Sequence, residues 1–283
     1  MFLEAYQKKI FIDDIKNIEN FNIHPSSIIF LRDEKIEYED QSFIRFTSKD
    51  QLIYNKKNFG KFIITEKFIK FRLYNDFNQD VFLSTALNQP IACYGYLHNN
   101  IVLHCSAFEY KGKSNILLGL PKSGKSTLVG MGLGKVKFIT EDIGIIRNKK
   151  LLPSTPLIKL QRENVSEKYL EDLSPIPFDE RKRIACRIKT KYFSKSPKPI
   201  NKIFFINRGD MSEIRSINPK LRVAKIFSSS FRPSEFSDVA DEKIFFLNIS
   251  QLLGVEMKEF NIPQHEKPRA SFSRLLDHID NNS

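Results

Sequence analysis

The stretch NILLGLPKSGKST, residues 115–127, decides the fold class of this chain. Its first part, NILL, is short and largely apolar, which predicts a buried strand. A glycine-rich segment follows, and then the pattern predicts a helix over about residues 125–131, ended by Gly132 and Gly134. A strand, a glycine-rich turn and a helix in direct succession predict an α/β fold.

Residues 119–126 match the spacing G-x-x-x-x-G-K-[ST], in which each fixed position has a physical purpose. The glycines let successive backbone N–H groups face one centre, where they and the helix N-terminus bind phosphate oxygens. Lys125 is placed to contact the β and γ phosphates, and the Ser126 hydroxyl to bind Mg²⁺. The loop therefore predicts a nucleoside triphosphate with Mg²⁺, but it does not distinguish an ATPase from a GTPase or a kinase. The predicted nucleotide-binding residues are Gly119, Lys122, Ser123, Gly124, Lys125, Ser126 and Thr127.

Two adjacent acids, Glu141 and Asp142, end the next apolar run, FITED, residues 138–142. A phosphate-loop enzyme needs a second magnesium anchor, which is usually a carboxylate at the end of a strand. Adjacent carboxylates can divide the roles, because one can hold the metal while the other accepts a proton from an acceptor hydroxyl. The alternative is a pair of solvated turn residues.

His104 lies in the strand-like run of residues 100–108, just before the strand that leads into the loop. A tight turn at residues 111–113 separates the two runs, so they are expected to pair and to bring His104 near the loop. The alternative is a histidine packed in an apolar core.

Elsewhere the pattern is simpler. Residues 1 to about 85 contain short apolar runs between polar turns, which predicts an antiparallel β segment that covers one side of the protein. Proline-rich residues 151–200 are expected to be less regular. The other predicted elements are a helix over 82–96, strands over 202–206 and 255–260, a strand or helix over 243–247, and a closing helix after Gln264.

The chain has 283 residues, of which 41% are apolar and 28% are charged, and this is the composition of an ordinary folded protein. The formal net charge of +12 suits polyanions, or it reflects lysines scattered over a solvated surface. Clusters occur only at residues 181–183 and 189–202, and no nucleic-acid module is recognisable, so nucleic acid is not an expected partner.

The three cysteines, Cys93, Cys105 and Cys186, are widely spaced and lack metal-site spacing, which fits a reducing compartment. The N-terminal residues have no signal-peptide pattern, and no apolar run approaches the ~18 residues of a membrane-spanning helix. A cytoplasmic protein without a membrane span is therefore expected.

The order of three motifs resembles the HPr kinase/phosphorylase family. These are LHCSA at residues 103–107, GLPKSGKST at 119–127 and ITED at 139–142. The pattern is most similar to the HPr-kinase-related branch, where LHASAV, GPSGAGKST and SDD occur in this order at similar spacing. A weaker match continues through residues 158–160, 203–210 and 255–257, so the resemblance covers about residues 85–262.

The resemblance implies a P-loop kinase core of the HPr kinase/phosphoenolpyruvate carboxykinase type, with ATP and Mg²⁺ as cofactors. It implies that His104 is the active-site histidine, that Glu141 is the general base and that Asp142 binds the metal together with Ser126. The chain would then consist of an N-terminal β-rich segment, residues 1–85, and a P-loop kinase domain, residues 86–283.

Three departures from the family affect the expected acceptor. The first acid is Glu141 where the family has Asp, Thr127 stands where HPr kinases carry Glu, and the C-terminal signature for binding the carrier protein is not found. HPr is therefore not the expected acceptor. Related enzymes of lasso-peptide clusters phosphorylate a serine of a precursor peptide, so the expected acceptor is a hydroxyl of a peptide, protein or small molecule.

The first hypothesis is an ATP-dependent kinase with Lys125, Glu141 and His104 as catalytic residues. The second is a nucleotide-binding regulatory or assembly module with slow ATP hydrolysis, and a weaker third is a nucleic-acid kinase or helicase. An arginine side chain can stabilise the negative charge on the phosphoryl group in the transition state. The candidate arginines are Arg181, Arg183, Arg187, Arg208 and Arg232.

Overall fold

The computed structural model describes residues 2–5, 8–14, 28–48, 51–75, 88–177, 179–231 and 242–281. In these ranges two larger sheets and one smaller sheet are joined by helices, which confirms the predicted α/β class. None of the described helices combines the length and the apolar character that a membrane crossing requires.

The N-terminal part of the chain forms a β-sheet, as its short apolar runs predict. Its strands are β1 (Phe2–Ala5), β2 (Lys8–Asp14), β3 (Ile28–Arg32), β4 (Phe43–Ser48), β5 (Gln51–Lys56), β6 (Gly60–Thr65) and β7 (Phe68–Leu73). The strand order is β1-β2-β3-β7-β6-β5-β4. The antiparallel expectation is wrong for β3, which pairs in parallel with β2 and β7. Short turns make β4 to β7 antiparallel, but no hairpin fixes the direction of β3 against β7.

The second sheet holds the predicted loop, and a small sheet lies beside it. The elements up to the small sheet are α1 (Asn88–Leu97), β8 (Ile101–Leu103), β9 (Ser106–Tyr110), β10 (Lys113–Leu118), α2 (Lys125–Gly132), β11 (Lys137–Glu141), β12 (Gly144–Arg147), β13 (Lys150–Leu151), β14 (Leu157–Leu160), β15 (Leu170–Pro175) and β16 (Ile184–Ile188). The remaining elements are β17 (Lys198–Gly209), β18 (Glu213–Ser216), α3 (Arg222–Ser228), α4 (Glu242–Ser250), β19 (Glu256–Pro263) and α5 (Pro268–Asn281).

The pairing of the second sheet brings the functional residues to one edge. Its order is β11-β9-β10-β17-β13-β12-β8, and β19 also pairs with β17. β10 is parallel to β17 and antiparallel to β9, and β9 is antiparallel to β11. The sheet is therefore mixed, and β10 and β11 run in the same direction. Their carboxyl ends, which lead to the glycine-rich loop and to Glu141, lie at the same edge.

The prolines of residues 151–200 do not prevent regular structure, contrary to the expectation. The segment forms a three-stranded sheet in the order β14-β16-β15. Each proline lies at or within two residues of a strand end, where the missing N–H group is tolerated.

Other predictions need smaller changes. The expected strand over 100–108 is interrupted at His104, and the uncertain segment 243–247 lies in helix α4. The predicted helix over 82–96 is observed as α1, while residues 82–87 lie outside the described residues. The strands at 202–206 and 255–260 and the closing helix are confirmed as β17, β19 and α5.

One hydrophobic core joins the N-terminal sheet to the rest of the chain. Phe62 and Phe71 of that sheet pack in the same cluster as Cys93 of α1, Val102 of β8 and Ile143. Burial of large apolar side chains is the dominant favourable term in folding, so these parts stabilise one another. The division into two domains at residue 85 stays a prediction.

Candidate functional site

The glycine-rich loop lies between β10 and α2, in the strand–loop–helix context that the sequence predicts. Gly119 and Gly124 have φ angles of 143° and 97°, which favour glycine. A Cβ at Gly119 would lie 2.6 Å from the carbonyl oxygen of Ile206, and one at Gly124 would lie 2.6 Å from Nη2 of Arg208. Backbone conformation therefore favours glycine at both positions, and at Gly119 the approach of a backbone carbonyl requires it as well.

Lys125, the first residue of α2, points back over the loop. Its ammonium donates hydrogen bonds to the carbonyl oxygens of Gly119, at 2.7 Å, and Leu120, at 3.1 Å. The residue is only 6% exposed, and burial lowers the pKa of its side chain. The loop thus holds a largely buried cation beside the N-terminus of a helix, which is the arrangement that binds anions.

Ser126 connects the loop to the end of β11. Its hydroxyl donates a 2.8 Å hydrogen bond to Oε1 of Glu141, and its oxygen lies 3.4 Å from that of Ser106. The β9–β11 ladder places Glu141 directly opposite Ser106. Burial raises the pKa of Glu141, although the nearby Lys159 opposes the shift. The sequence hypothesis joined Ser126 to Asp142, whereas the structure joins Ser126 to Glu141.

Asp142 faces different partners because the chain turns sharply after β11. Its φ angle of 72° is left-handed, so its side chain leaves the line of Glu141. Its Oδ2 accepts a 2.6 Å hydrogen bond from Nζ of Lys159, and its Oδ1 lies 3.4 Å from Nδ1 of His104. Burial alone would raise the pKa of Asp142, but Lys159 and His104 lower it below its usual range.

His104 owes its position to the break between β8 and β9. Its backbone N–H donates to the carbonyl oxygen of Ser229 at 2.8 Å, and the next N–H, of Cys105, donates to that of Asp142 at 3.3 Å. These bonds replace a sheet ladder at this point and direct the ring to Asp142. Burial lowers the pKa of His104 below its usual value, although the carboxylate of Asp142 opposes this shift.

Lys159 is a functional candidate that the sequence reasoning missed. It lies in β14 with a 5% exposed side chain, and its Nζ is 2.6 Å from Oδ2 of Asp142 and 3.8 Å from Oε2 of Glu141. The two carboxylates raise the pKa of Lys159, although burial alone would lower it. A lysine within the apolar run LIKL was the available signal, because buried lysines are nearly always paired.

The candidate arginines have different positions. Arg181 and Arg183, in the connection from β15 to β16, line the same cavity as the loop. Arg183 is held by Asp179, with Nη2 2.9 Å from Oδ1, and Nε of Arg208 donates to the carbonyl oxygen of Ser123 at 3.1 Å. Arg187 lies in β16 and does not line this cavity, and Arg232 lies outside the described residues.

These side chains surround an open cavity of about 540 Å³. The predicted site residues that line it are His104, Lys122, Gly124, Lys125, Ser126, Thr127, Glu141 and Asp142. Gly119 and Ser123 lie in the loop but do not line it. The structure therefore brings together the loop, both acids and the histidine, and it adds Lys159.

The residues present fit Mg²⁺ held together with a polyphosphate. The Ser126 hydroxyl and the Glu141 carboxylate are hard oxygen ligands at 2.8 Å from each other, and Mg²⁺ usually completes its shell with water and phosphate oxygens. Within the described ranges no three His, Cys, Asp or Glu side chains form a metal site by themselves. In addition, the buried hydroxyl oxygen of Ser123 lacks a hydrogen-bond partner inside the loop.

Comparison with known proteins gives little support for an assignment. No family model and no curated protein matches the sequence. A similar solved structure is that of the Hpr(Ser) kinase/phosphatase from Coxiella burnetii, with 8% identity and a TM-score of 0.34 over 64% of this chain and 97% of that chain. A likeness this low carries no inference about activity, so the family resemblance stays a prediction.

Proposed function

We propose that this chain is a kinase that binds ATP with Mg²⁺ at residues 119–127 and transfers the γ-phosphate to a hydroxyl of an acceptor. The observation that carries the proposal is that the two acids have different partners. Glu141 accepts a hydrogen bond from Ser126, whereas Asp142 contacts His104 and Lys159. One carboxylate thus lies beside the loop, and a second faces the same cavity. A module that only binds nucleotide has no use for the second carboxylate.

The loop side of the cavity would bind the donor. Backbone N–H groups at the start of α2 and the ammonium of Lys125 are suited to the phosphate oxygens. Ser126 and Glu141 would hold Mg²⁺, which when bound neutralises charge on the phosphates. This assignment exchanges the roles that the sequence suggested, because Ser126 is hydrogen-bonded to Glu141 and not to Asp142.

Asp142 would serve the acceptor. Its pKa lies below its usual range, so at neutral pH it is a carboxylate, and 31% of its side chain is exposed. In the transfer the acceptor oxygen bonds to the γ-phosphorus, the bond from that phosphorus to the bridging oxygen breaks, and the hydroxyl proton passes to Asp142. Phosphoryl transfer depends mainly on positioning and electrostatics, so an oriented carboxylate of low basicity suffices. His104 and Lys159 orient it.

We take the acceptor to be a hydroxyl, first a serine, of a peptide, protein or small molecule, and we place the reaction in the cytoplasm. Only the family resemblance supports the serine. The three cysteines, all free and buried, agree with a reducing compartment.

The test is incubation of the purified chain with γ-labelled ATP, Mg²⁺ and an extract of its own host. We expect a labelled acceptor with the wild type and none with Lys125→Ala. The matched control is Lys137→Ala, which removes an exposed lysine at the start of β11 and should leave labelling unchanged. Release of free phosphate without a labelled acceptor would instead favour a nucleotide-dependent regulatory module, and absence of ATP binding would overturn both.

A further inference from the structure

Lys159 lies between the facing oxygens of the two acids. Its Nζ is 2.6 Å from Oδ2 of Asp142 and 3.8 Å from Oε2 of Glu141. The strand that carries it, β14, is fixed by its ladder with β16, where Lys159 is opposite Ala185. Because the side chain is 5% exposed, the ammonium has little room to leave the acids.

The four oxygens of the two carboxylates have three different partners. Oε1 of Glu141 accepts the hydrogen bond from Ser126, on the loop side. Oδ1 of Asp142 lies 3.4 Å from Nδ1 of His104, on the other side. The two remaining oxygens, Oε2 and Oδ2, share Lys159. A cation between the acids is thus supplied by the chain itself.

We infer that Lys159 takes the place of a second divalent metal, so that the site holds one divalent ion with the nucleotide. Some phosphoryl-transfer enzymes hold two metal ions, whereas P-loop NTPases hold one with the loop Ser/Thr and a single carboxylate, so the second acid of this site could bind a second ion. Here an ammonium occupies the space between these acids, and a second dication there would be repelled at short range. The inference rests on the proposed function, and it makes Lys159 a positioning residue.

The wild-type chain provides the decisive measurement. Mn²⁺ replaces Mg²⁺, and the bound ion is counted by electron paramagnetic resonance in the presence of saturating adenylyl imidodiphosphate. We expect one Mn²⁺ per chain that depends on the nucleotide. Two ions per chain would overturn the inference and leave the proposed function standing. No nucleotide-dependent ion would overturn the proposed function, and the inference with it.

Variants at Lys159 test whether its charge is what excludes a second divalent ion. Lys159→Met keeps the apolar stem but removes the charge, and it should bind two Mn²⁺ per chain. Lys159→Arg keeps the charge and should bind one. The matched control is Lys202→Met, because Lys202 is another buried lysine paired with a carboxylate, 2.9 Å from Glu256, and it should also bind one. A folded Lys159→Met chain that still binds one ion would overturn the inference, and if this variant does not fold, the wild-type count decides.

Discussion

The hydroxyl of Ser126 and the carboxylate of Glu141 form a 2.8 Å hydrogen bond that joins the first turn of α2 to the end of β11. The local sequence around either residue does not determine this bond, because it depends on β9 lying between β10 and β11. The bond ties β11 to the loop, and the neighbouring Asp142 contacts His104 and Lys159 instead. The division of roles between the two acids follows from this bond and can be tested.

Amide substitutions of the acids should have different effects. Glu141→Gln can still accept the hydrogen bond from Ser126 but loses its charge, so we expect Mg²⁺-dependent ATP binding to weaken by roughly 10–100-fold, about 1.5–3 kcal/mol. Asp142→Asn should bind ATP normally while transfer falls by about 10²–10⁴-fold, since it removes a general base. Mg²⁺ titration of ATP binding and the rate of acceptor labelling measure the two effects. The reverse pattern would restore the assignment made from the sequence.

Substitution of two glycines by alanine can distinguish the effect of backbone strain from that of a new contact at the loop. Gly124→Ala and Gly112→Ala both place a Cβ at positive φ, 97° and 78°, and each should lower the free energy of unfolding by about 1–2 kcal/mol. Nothing lies within 4 Å of the new Cβ at Gly112, whereas at Gly124 it meets Arg208. Only Gly124→Ala should therefore lose ATP binding, measured beside urea unfolding of both variants. Equal ATP binding by the two variants would show that Arg208 moves aside without disturbing the loop.

Lowering the pH should reduce the free energy of unfolding, in part because Asp142 becomes protonated. Its folded pKa lies below the unfolded value of about 3.9, so its carboxylate stabilises the fold above that pH, and this contribution is lost as the pH falls through the folded pKa. Asp142→Asn lacks the charged hydrogen bond and should be less stable by about 1–3 kcal/mol at pH 7. The difference from wild type should shrink as the solution is acidified.

Urea unfolding of both proteins over a series of pH values checks this sign. Asp210→Asn is the control for the loss of one negative charge, because Asp210 is exposed. A difference for Asp142→Asn that grows in acid would contradict the ion pair with Lys159.

Two of the three cysteines, Cys105 and Cys186, should resist alkylation in the folded protein. Burial raises the pKa of Cys105 to about 12 and that of Cys186 to about 11. At pH 8 the reactive thiolate is then only about 10⁻⁴ of Cys105 and 10⁻³ of Cys186, against about a quarter of an ordinary thiol. We expect iodoacetamide to label both at least ~100-fold more slowly in the folded chain than in urea, with the rate rising with pH, as measured by mass spectrometry. Rapid labelling of native Cys105, which lines the cavity beside the loop, would show that its thiol becomes exposed in the folded chain.

The sequence by itself determined the parts of the site that depend on local geometry. The spacing from Gly119 to Ser126 specifies a turn whose glycines have positive φ and whose last residues begin a helix, and the structure has this arrangement. The apolar runs on both sides determined the buried strands β10 and β11, because a fully buried strand needs no alternation. These features follow from residues within about ten positions of one another, so a single sequence suffices to predict them.

Only the tertiary structure decided which partner each acid has. The left-handed φ of Asp142 turns it away from Glu141, and sequence spacing cannot show this turn. Lys159 reaches both acids because β14 is held in a separate small sheet, and the break at His104 is fixed by a backbone bond to Ser229 far along the chain. Such contacts depend on long-range pairing and burial, whose geometry is set when the whole chain packs and not by the residue types next to one another.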